Sequence, residues 1–302
     1  MASEDTSHVG LPRLRRTNLE MGDENSFFKQ LLIIYKLYSK FQLAKKYLYY
    51  FFTASNGKGH GIHSPFVFDF VTNVLNDKKK YACYDTIEGL RQQLKKNDTV
   101  IEVEDFGAGS AVIKSNKRIV KDIAKSSLKA KKFAQLLFRM VQYYRPKNIL
   151  ELGTSFGITT AYLASGNADV KVYTLEGATE IARIAQNNFE QLGTNNITLV
   201  QGNFAKTLPH LFSTLYSNID FVFVDGNHRK EPTLQYFLKL LAQSHNNTIL
   251  VFDDIHWSKE MEEAWSTIQQ HPSVTLTIDL FFIGIVVIQN EIKVKQHFTI
   301  AY

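Results

Sequence analysis

The sequence predicts an α/β protein: seven strands in a mostly parallel, helix-covered sheet with an antiparallel last strand, behind a helical N-terminal extension. Three observations carry this expectation. From Asn148 onward, short apolar runs alternate with helical segments, and that rhythm implies a parallel sheet covered on both faces. The last two apolar runs are separated only by Leu280-Phe281-Phe282, too short a link for a parallel crossover, so they should pair antiparallel. Before residue 148 most apolar positions recur at helical spacing.

Taken in order, residues 1–26 mix charges with glycine and proline and hold few bulky apolar side chains, the composition of a disordered leader; they lack the apolar run of a secretory signal. Residues 27–52 are apolar and aromatic, but Lys29, Lys36, Lys40, Lys45 and Lys46 interrupt them. That spacing predicts one or two amphipathic helices with a basic face, too broken for the roughly 20 apolar residues of a membrane span. Residues 57–66 (GKGHGIHSPF) form an irregular loop carrying His60 and His63. Helices are expected over 66–75 and 84–97, a short strand over 100–105, a turn at Gly107-Ala108-Gly109-Ser110, and one or two helices over 117–144. Residues 27–130 thus read as an extension or lid, and 131–302 as the sheet domain. Its strands are expected at 148–152, 170–175, 197–201, 219–224, 248–252, 274–279 and 283–289. Helices are expected at 156–165, 178–192, 204–215, 229–244 and 258–270.

Composition narrows the class. With 302 residues, 44% of them apolar and 21% charged, the chain can bury a sizeable core. Cys83 is the single cysteine, which excludes an intramolecular disulfide and a cysteine-built zinc site, and fits a reducing, cytoplasmic compartment. The net charge of +6 is unevenly spread. Residues 1–145 hold 25 basic against 14 acidic side chains, a net +11; residues 146–302 hold 10 against 15, a net −5. Either the two halves attract each other, or the basic front meets an anionic partner such as nucleic acid or a membrane surface, or it is simply solvated.

In open α/β sheets the ligand lies beyond the carboxyl ends of the strands, so the residues following each strand carry the chemistry. After the first come Glu151, Gly153, Thr154, Ser155 and Gly157, spaced E-x-G-x-x-x-G; such glycines allow a tight turn and close backbone approach. The second ends in Glu176-Gly177, an acid placed to accept both ribose hydroxyls of an adenosine ligand. After the third, Asn203 and Phe204 are placed to clasp an adenine ring. The fourth runs into Asp225-Gly226-Asn227-His228, and the fifth into Asp253-Asp254-Ile255-His256-Trp257. Three crowded carboxylates need a cation, a shared proton or a basic partner; a sulfonium or Mg²⁺ would serve, and helix capping is the alternative use of such residues.

ELGTSFGITTAYLA, VYTLEG, FVFVDGNH and ILVFDDIHW together resemble the class I S-adenosylmethionine-dependent methyltransferases, particularly the small-molecule O-methyltransferase branch with catechol and caffeoyl-CoA enzymes. The similarity covers roughly residues 130–290. GHGIHSPFVFDF, with residues 105–110, resembles a bacterial subgroup of Bacteroidetes type. The resemblance implies a Rossmann-like sheet and S-adenosylmethionine as cofactor. Glu151, Gly153 and the turn through Thr154, Ser155 and Gly157 would hold its methionine portion, Glu176 with Gly177 its ribose, and Asn203 would lie near its adenine. In the cation-dependent branch an Asp after the fourth strand and an Asp-Asn pair after the fifth bind the metal; here those positions are Asp225, Asp253 and Asp254, one carboxylate richer. His228 stands where that branch has a catalytic lysine, which implies neutral His228 as general base beside Asp225, acting on a small-molecule acceptor. A homodimer through the N-terminal helices is a further expectation. An RNA methyltransferase and a non-catalytic cofactor-binding scaffold are the competing classes, though no Asn-Pro-Pro-Tyr-type motif and no cysteine pair supports the former.

Overall fold

The computed structural model describes residues 37–55, 57, 62–104, 115–215 and 219–302. The expected leader, the chain before Leu37, His60 and the turn at 107–110 lie outside the described residues. In the front part, helix α1 (Lys40–Thr53) opens on a capping box, Ser39 with Gln42. Helix α2 (Pro65–Asp69) passes into a π-helical turn at Phe70–Leu75, and α3 (Ala82–Leu94) follows. Strands β1 (Val100–Glu104) and β2 (Ser115–Ile119) pair antiparallel before α4 (Val120–Ser127) and α5 (Lys131–Tyr144). The extension is therefore not purely helical. Strand β2 lies where helix was expected to begin, because Lys117 and Arg118 are polar and exposed and its order comes from backbone pairing with β1.

The remaining chain alternates: β3 (Asn148–Leu152), α6 (Ile158–Ser165), β4 (Lys171–Glu176), α7 (Thr179–Leu192), β5 (Ile197–Gln201), α8 (Phe204–Leu215), β6 (Phe221–Val224), α9 (Lys230–Leu241), β7 (Ile249–Asp253), α10 (Lys259–Gln270), β8 (Leu276–Asp279), β9 (Ile283–Val287) and β10 (Gln296–Thr299). The sheet order is β10-β8-β9-β7-β6-β3-β4-β5. Strand β9 runs antiparallel to both β7 and β8, as the short Leu280–Phe282 link requires. The sheet has eight strands rather than seven, and the last in chain order is parallel: β10 pairs with β8 from Gln296↔Leu276 to Thr299↔Asp279. Its segment, Gln-His-Phe-Thr, offers one bulky apolar residue and lies at the sheet edge, so no apolar run marks it.

Alternation along the strands divides the core. Phe221 and Phe223 of β6 face one side with Val67 and Phe70 of the extension and Leu136, Leu137 and Met140 of α5. Val222 and Val224 face the other, with Leu208, Phe237 and Trp265. The front of the chain thus shares the sheet's own core. Among the described residues, no helix is long and apolar enough to cross a membrane.

A charged network ties α1 to the sheet. Lys46 Nζ donates to Glu262 Oε1 (2.9 Å), Tyr38 donates to Glu262 Oε2, and His256 bridges Glu262 Oε1 (3.1 Å) and Asp279 Oδ2 (2.8 Å). Burial disfavours a charged His256, but its bonds to Asp279 and Glu262 outweigh this and raise its pKa to about 9. The raised value means that this histidine stabilises the fold fully below its unfolded pKa of about 6.5 and loses that contribution as pH rises through 9. The contribution is on the order of 2 kcal/mol. Thermal denaturation of wild type and His256→Gln should therefore show a Tm gap that is widest near pH 6 and closes by about pH 9.5. Parallel curves across that range would contradict the charge state assigned to His256.

Candidate active site

The carboxyl ends of β3, β4, β6 and β7 open on a cleft of about 730 Å³, roofed by the chain from Ser126 to Ala130 and by Val103, Arg118 and Phe133. At its floor, Gly153 has φ +104°. A Cβ there would overlap the carbonyl oxygen of Asp225, so only glycine lets the turn after β3 lie against the turn after β6. Ser155, Asn227 and Asp254 also have positive φ, at 48°, 60° and 54°. All three line the cleft, where backbone strain is held by surrounding structure.

Of the expected cofactor residues, Gly153, Ser155, Glu176, Gly177, Asn203 and Asp225 line the cleft. The Glu176 carboxylate accepts from the Ser155 amide (2.9 Å) and the Ala178 amide (3.0 Å), bracing the turn after β3 against that after β4. Asn203 Oδ1 accepts from Ala205 N (2.9 Å) and so opens α8; beside it, the Phe204 ring meets Tyr236 edge-on, and Tyr236 accepts from Asn227 Nδ2 (2.8 Å). Glu151, Thr154 and Gly157 stand behind the lining. A Cβ on Gly157, φ +78°, would overlap the Phe189 ring. The Thr154 hydroxyl meets that of Thr174 (2.6 Å). Glu151 is fully buried; its Oε2 accepts from Thr160 and Thr174, while Oε1 has no partner among the described residues. Burial raises its pKa to about 8 against the pull of the two threonines, with Asp225 and Glu176 adding to the rise.

The carboxylates after β6 and β7 converge, but on a partner that the sequence did not mark. Lys129, in the link between α4 and α5, places Nζ against Asp253 Oδ1 and 3.8 Å from Asp254 Oδ1. Burial opposes its charge, but Asp253, Asp254 and Asp225 together hold its pKa above the ordinary lysine value. Burial and the neighbouring acids push Asp253 toward protonation while Lys129 pulls it back. The direct contact, shielded from water on both sides, decides for the ionised pair. No local pattern distinguished Lys129 from the other lysines of the front half; the opposite net charges of the two halves were the signal that they meet.

His228 Nε2 lies 3.5 Å from Asp225 Oδ1, and its side chain is 31% exposed to the cleft. Burial disfavours the imidazolium, yet the Asp225 bond and the charges of Asp254, Asp225 and Asp253 raise its pKa to about 9. At pH 7 this histidine is therefore a cation, not the neutral base expected from sequence. His256, also expected at this edge, is turned away into the α1 network and stacks on Phe281 (5.1 Å). His63 is exposed outside the cleft.

The expected metal set changes likewise. Asp225, His228 and Asp253 offer ligand atoms within 4.8 Å of one another; Asp254 is not in that group. One of the three is an imidazole, a poor match for Mg²⁺, which favours hard oxygens. The Lys129 ammonium already sits on Asp253. A resident Mg²⁺ does not fit this arrangement.

Residues 150–255 match the methyltransferase-domain family. The matched residues include the turns after β3, β4, β5, β6 and β7, hence nearly all the cleft except its roof. The chain is also 33% identical over 126 residues to a catechol O-methyltransferase of Niastella koreensis, an alignment covering 41% of this chain and 55% of that protein. It thus spans about half the length of this curated relative. Among solved structures it is similar to an O-methyltransferase from Bacillus cereus in complex with SAH (21% identity, TM-score 0.51), over 72% of this chain and 96% of that one. The SAH-bound Podospora anserina methyltransferase PaMTH1 is similar at 15% identity and TM-score 0.50, over 71% and 100%. These likenesses show the fold: a Rossmann-like methyltransferase sheet, here with eight strands.

Proposed function

We propose that this chain is an S-adenosylmethionine-dependent methyltransferase that methylates an oxygen of a small-molecule acceptor. One observation carries the reading: successive strand ends deliver Gly153, Glu176, Asp225 and Asp253 to a single anionic cleft in a methyltransferase domain. The donor set fits such a cofactor. At its floor the turn after β3 lies against the turn after β6 because residue 153 lacks a Cβ, and behind it lies a buried carboxyl oxygen of Glu151 with no partner among the described residues. The bound cofactor would supply a methyl group on a cationic sulfur, an activated leaving group that needs no further activation by protein.

In this reading Gly153 and Ser155 receive the methionine end, with Glu151, Thr154 and Gly157 supporting the turn from behind. Glu176 and Gly177 face the ribose, and Asn203 the adenine. Asp225 holds His228 through Nε2, which leaves the other ring nitrogen, Nδ1, to accept the acceptor's hydroxyl proton. The imidazolium must first lose its own proton, and a cationic ligand competing for the same carboxylates lowers its pKa in the required direction. Most of the acceleration then comes from positioning the acceptor oxygen. The exposed aromatic residues of α1, Phe41, Tyr49 and Phe52, are where a homodimer would form, and a single cysteine suits a cytoplasmic protein.

Calorimetric titration tests the reading. S-adenosylmethionine and SAH should both bind with and without EDTA; no binding of either would remove the proposal. The titration also has a predicted pH signature. At pH 7 Glu151 is mostly protonated, and a cation nearby favours its ionised form, so binding releases a proton. Affinity for S-adenosylmethionine should rise with pH from about pH 7, Glu151 contributing up to about pH 8 and His228 up to about pH 9, less so for SAH, which lacks the sulfonium charge. Glu151→Gln should reduce the slope below about pH 8. An equally steep profile in that variant would show that another group is responsible.

A further inference from the structure

The acidic cleft of the methyltransferase domain is met by a cation from outside that domain. Lys129 is not a surface lysine that happens to reach an aspartate: its side chain is 9% exposed, and that of Asp253 3%. Exposed pairs contribute little because water competes for both charges, whereas a pair shielded on both sides keeps its attraction. The lysine's backbone is also held in place. Arg91 of α3, itself buried and paired with Glu88 (3.0 Å), donates through Nη1 to the Lys129 carbonyl (2.7 Å). Two residues later α5 begins and packs into the core, so the backbone is held on both sides of the ammonium's stem. The ammonium is directed at the set of residues, Asp225, His228 and Asp253, whose ligand atoms are close enough together to hold a metal ion.

We propose that Lys129 is a tethered cation that takes the place of a divalent metal ion in the carboxylate set formed by Asp225, Asp253 and Asp254. The fixed positive charge balances these acids without a dissociable ion, and like-charge repulsion keeps a divalent cation out while the lysine is present. The inference rests on the methyltransferase reading only for what else the cleft holds.

The test is a titration of the full chain with Mn²⁺, following the free ion by electron paramagnetic resonance, in wild type, Lys129→Ala, Lys129→Met and Lys129→Arg. Wild type and Lys129→Arg should leave Mn²⁺ free up to about 1 mM, while the two neutral variants should take up one ion per chain at least about tenfold more tightly. Saturable uptake by wild type near 0.1 mM or below, an affinity of the order of deliberate but weak cation sites, overturns the proposal. So does a folded Lys129→Ala or Lys129→Met that takes up no Mn²⁺. Circular dichroism checks folding; should neither neutral variant fold, the wild-type titration decides alone, exclusion supporting the proposal and uptake refuting it. SAH binding, measured by calorimetry on the same wild-type sample, is a separate readout: its failure would count against the methyltransferase reading and leave the Mn²⁺ result standing.

Discussion

Replacing His228 with alanine is expected to lower kcat by about 10²–10⁴-fold, the usual contribution of a positioned acid–base group. SAH affinity should stay within about twofold, because the variant leaves Gly153, Ser155 and Glu176 untouched. The geometry behind this is specific. His228 Nε2 is 3.5 Å from Asp225, its side chain reaches the cleft, and three carboxylates around it, Asp225, Asp253 and Asp254, raise its proton affinity. Because the free histidine is an imidazolium below about pH 9, kcat/KM in the wild type should climb with pH across the neutral range and lose that climb in His228→Ala. Loss of cofactor affinity, with turnover per bound cofactor unchanged, would instead make His228 a binding residue.

Gly153→Ala should be still more damaging, and to binding rather than to chemistry. The added Cβ would overlap the Asp225 carbonyl oxygen, and φ +104° suits no L side chain. The atom it meets is backbone and a Cβ has no torsion of its own to turn through, so neither can swing aside. A loss of about 3 kcal/mol or more of stability is expected, with SAH affinity down at least about 100-fold as the turns after β3 and β6 separate. Gly193→Ala is the internal control. Gly193 also has a positive φ, +67°, but its Cβ would meet open space. It should cost only about 1 kcal/mol and leave SAH binding alone. If the two variants denature at the same temperature and bind SAH equally, the close approach at Gly153 is not what shapes the cleft.

The strand ends were legible because their signals are local. Strands 148–152 and 197–201 and the helix 204–215 fall where the apolar periodicity puts them, and the carboxylates at 176, 225 and 253 follow directly from where strands stop. Strand β10 was not legible, because an edge strand buries too little to need an apolar run. Strand β2 was missed because its order comes from a pairing partner rather than from its own pattern.

The sequence by itself determined the α/β class, the strand-end acids and the glycine turn, since each depends on neighbours a few residues apart. Tertiary structure alone decided which way the side chains face and what meets them. Glu151 and Thr154 turned out to back the turn rather than line it, and His256 joined the α1 network. Lys129 came to neutralise an aspartate 124 residues away. Hydrophobic period and turn chemistry are short-range, whereas the charge state of a buried acid is set by whatever the fold brings within a few ångströms of it.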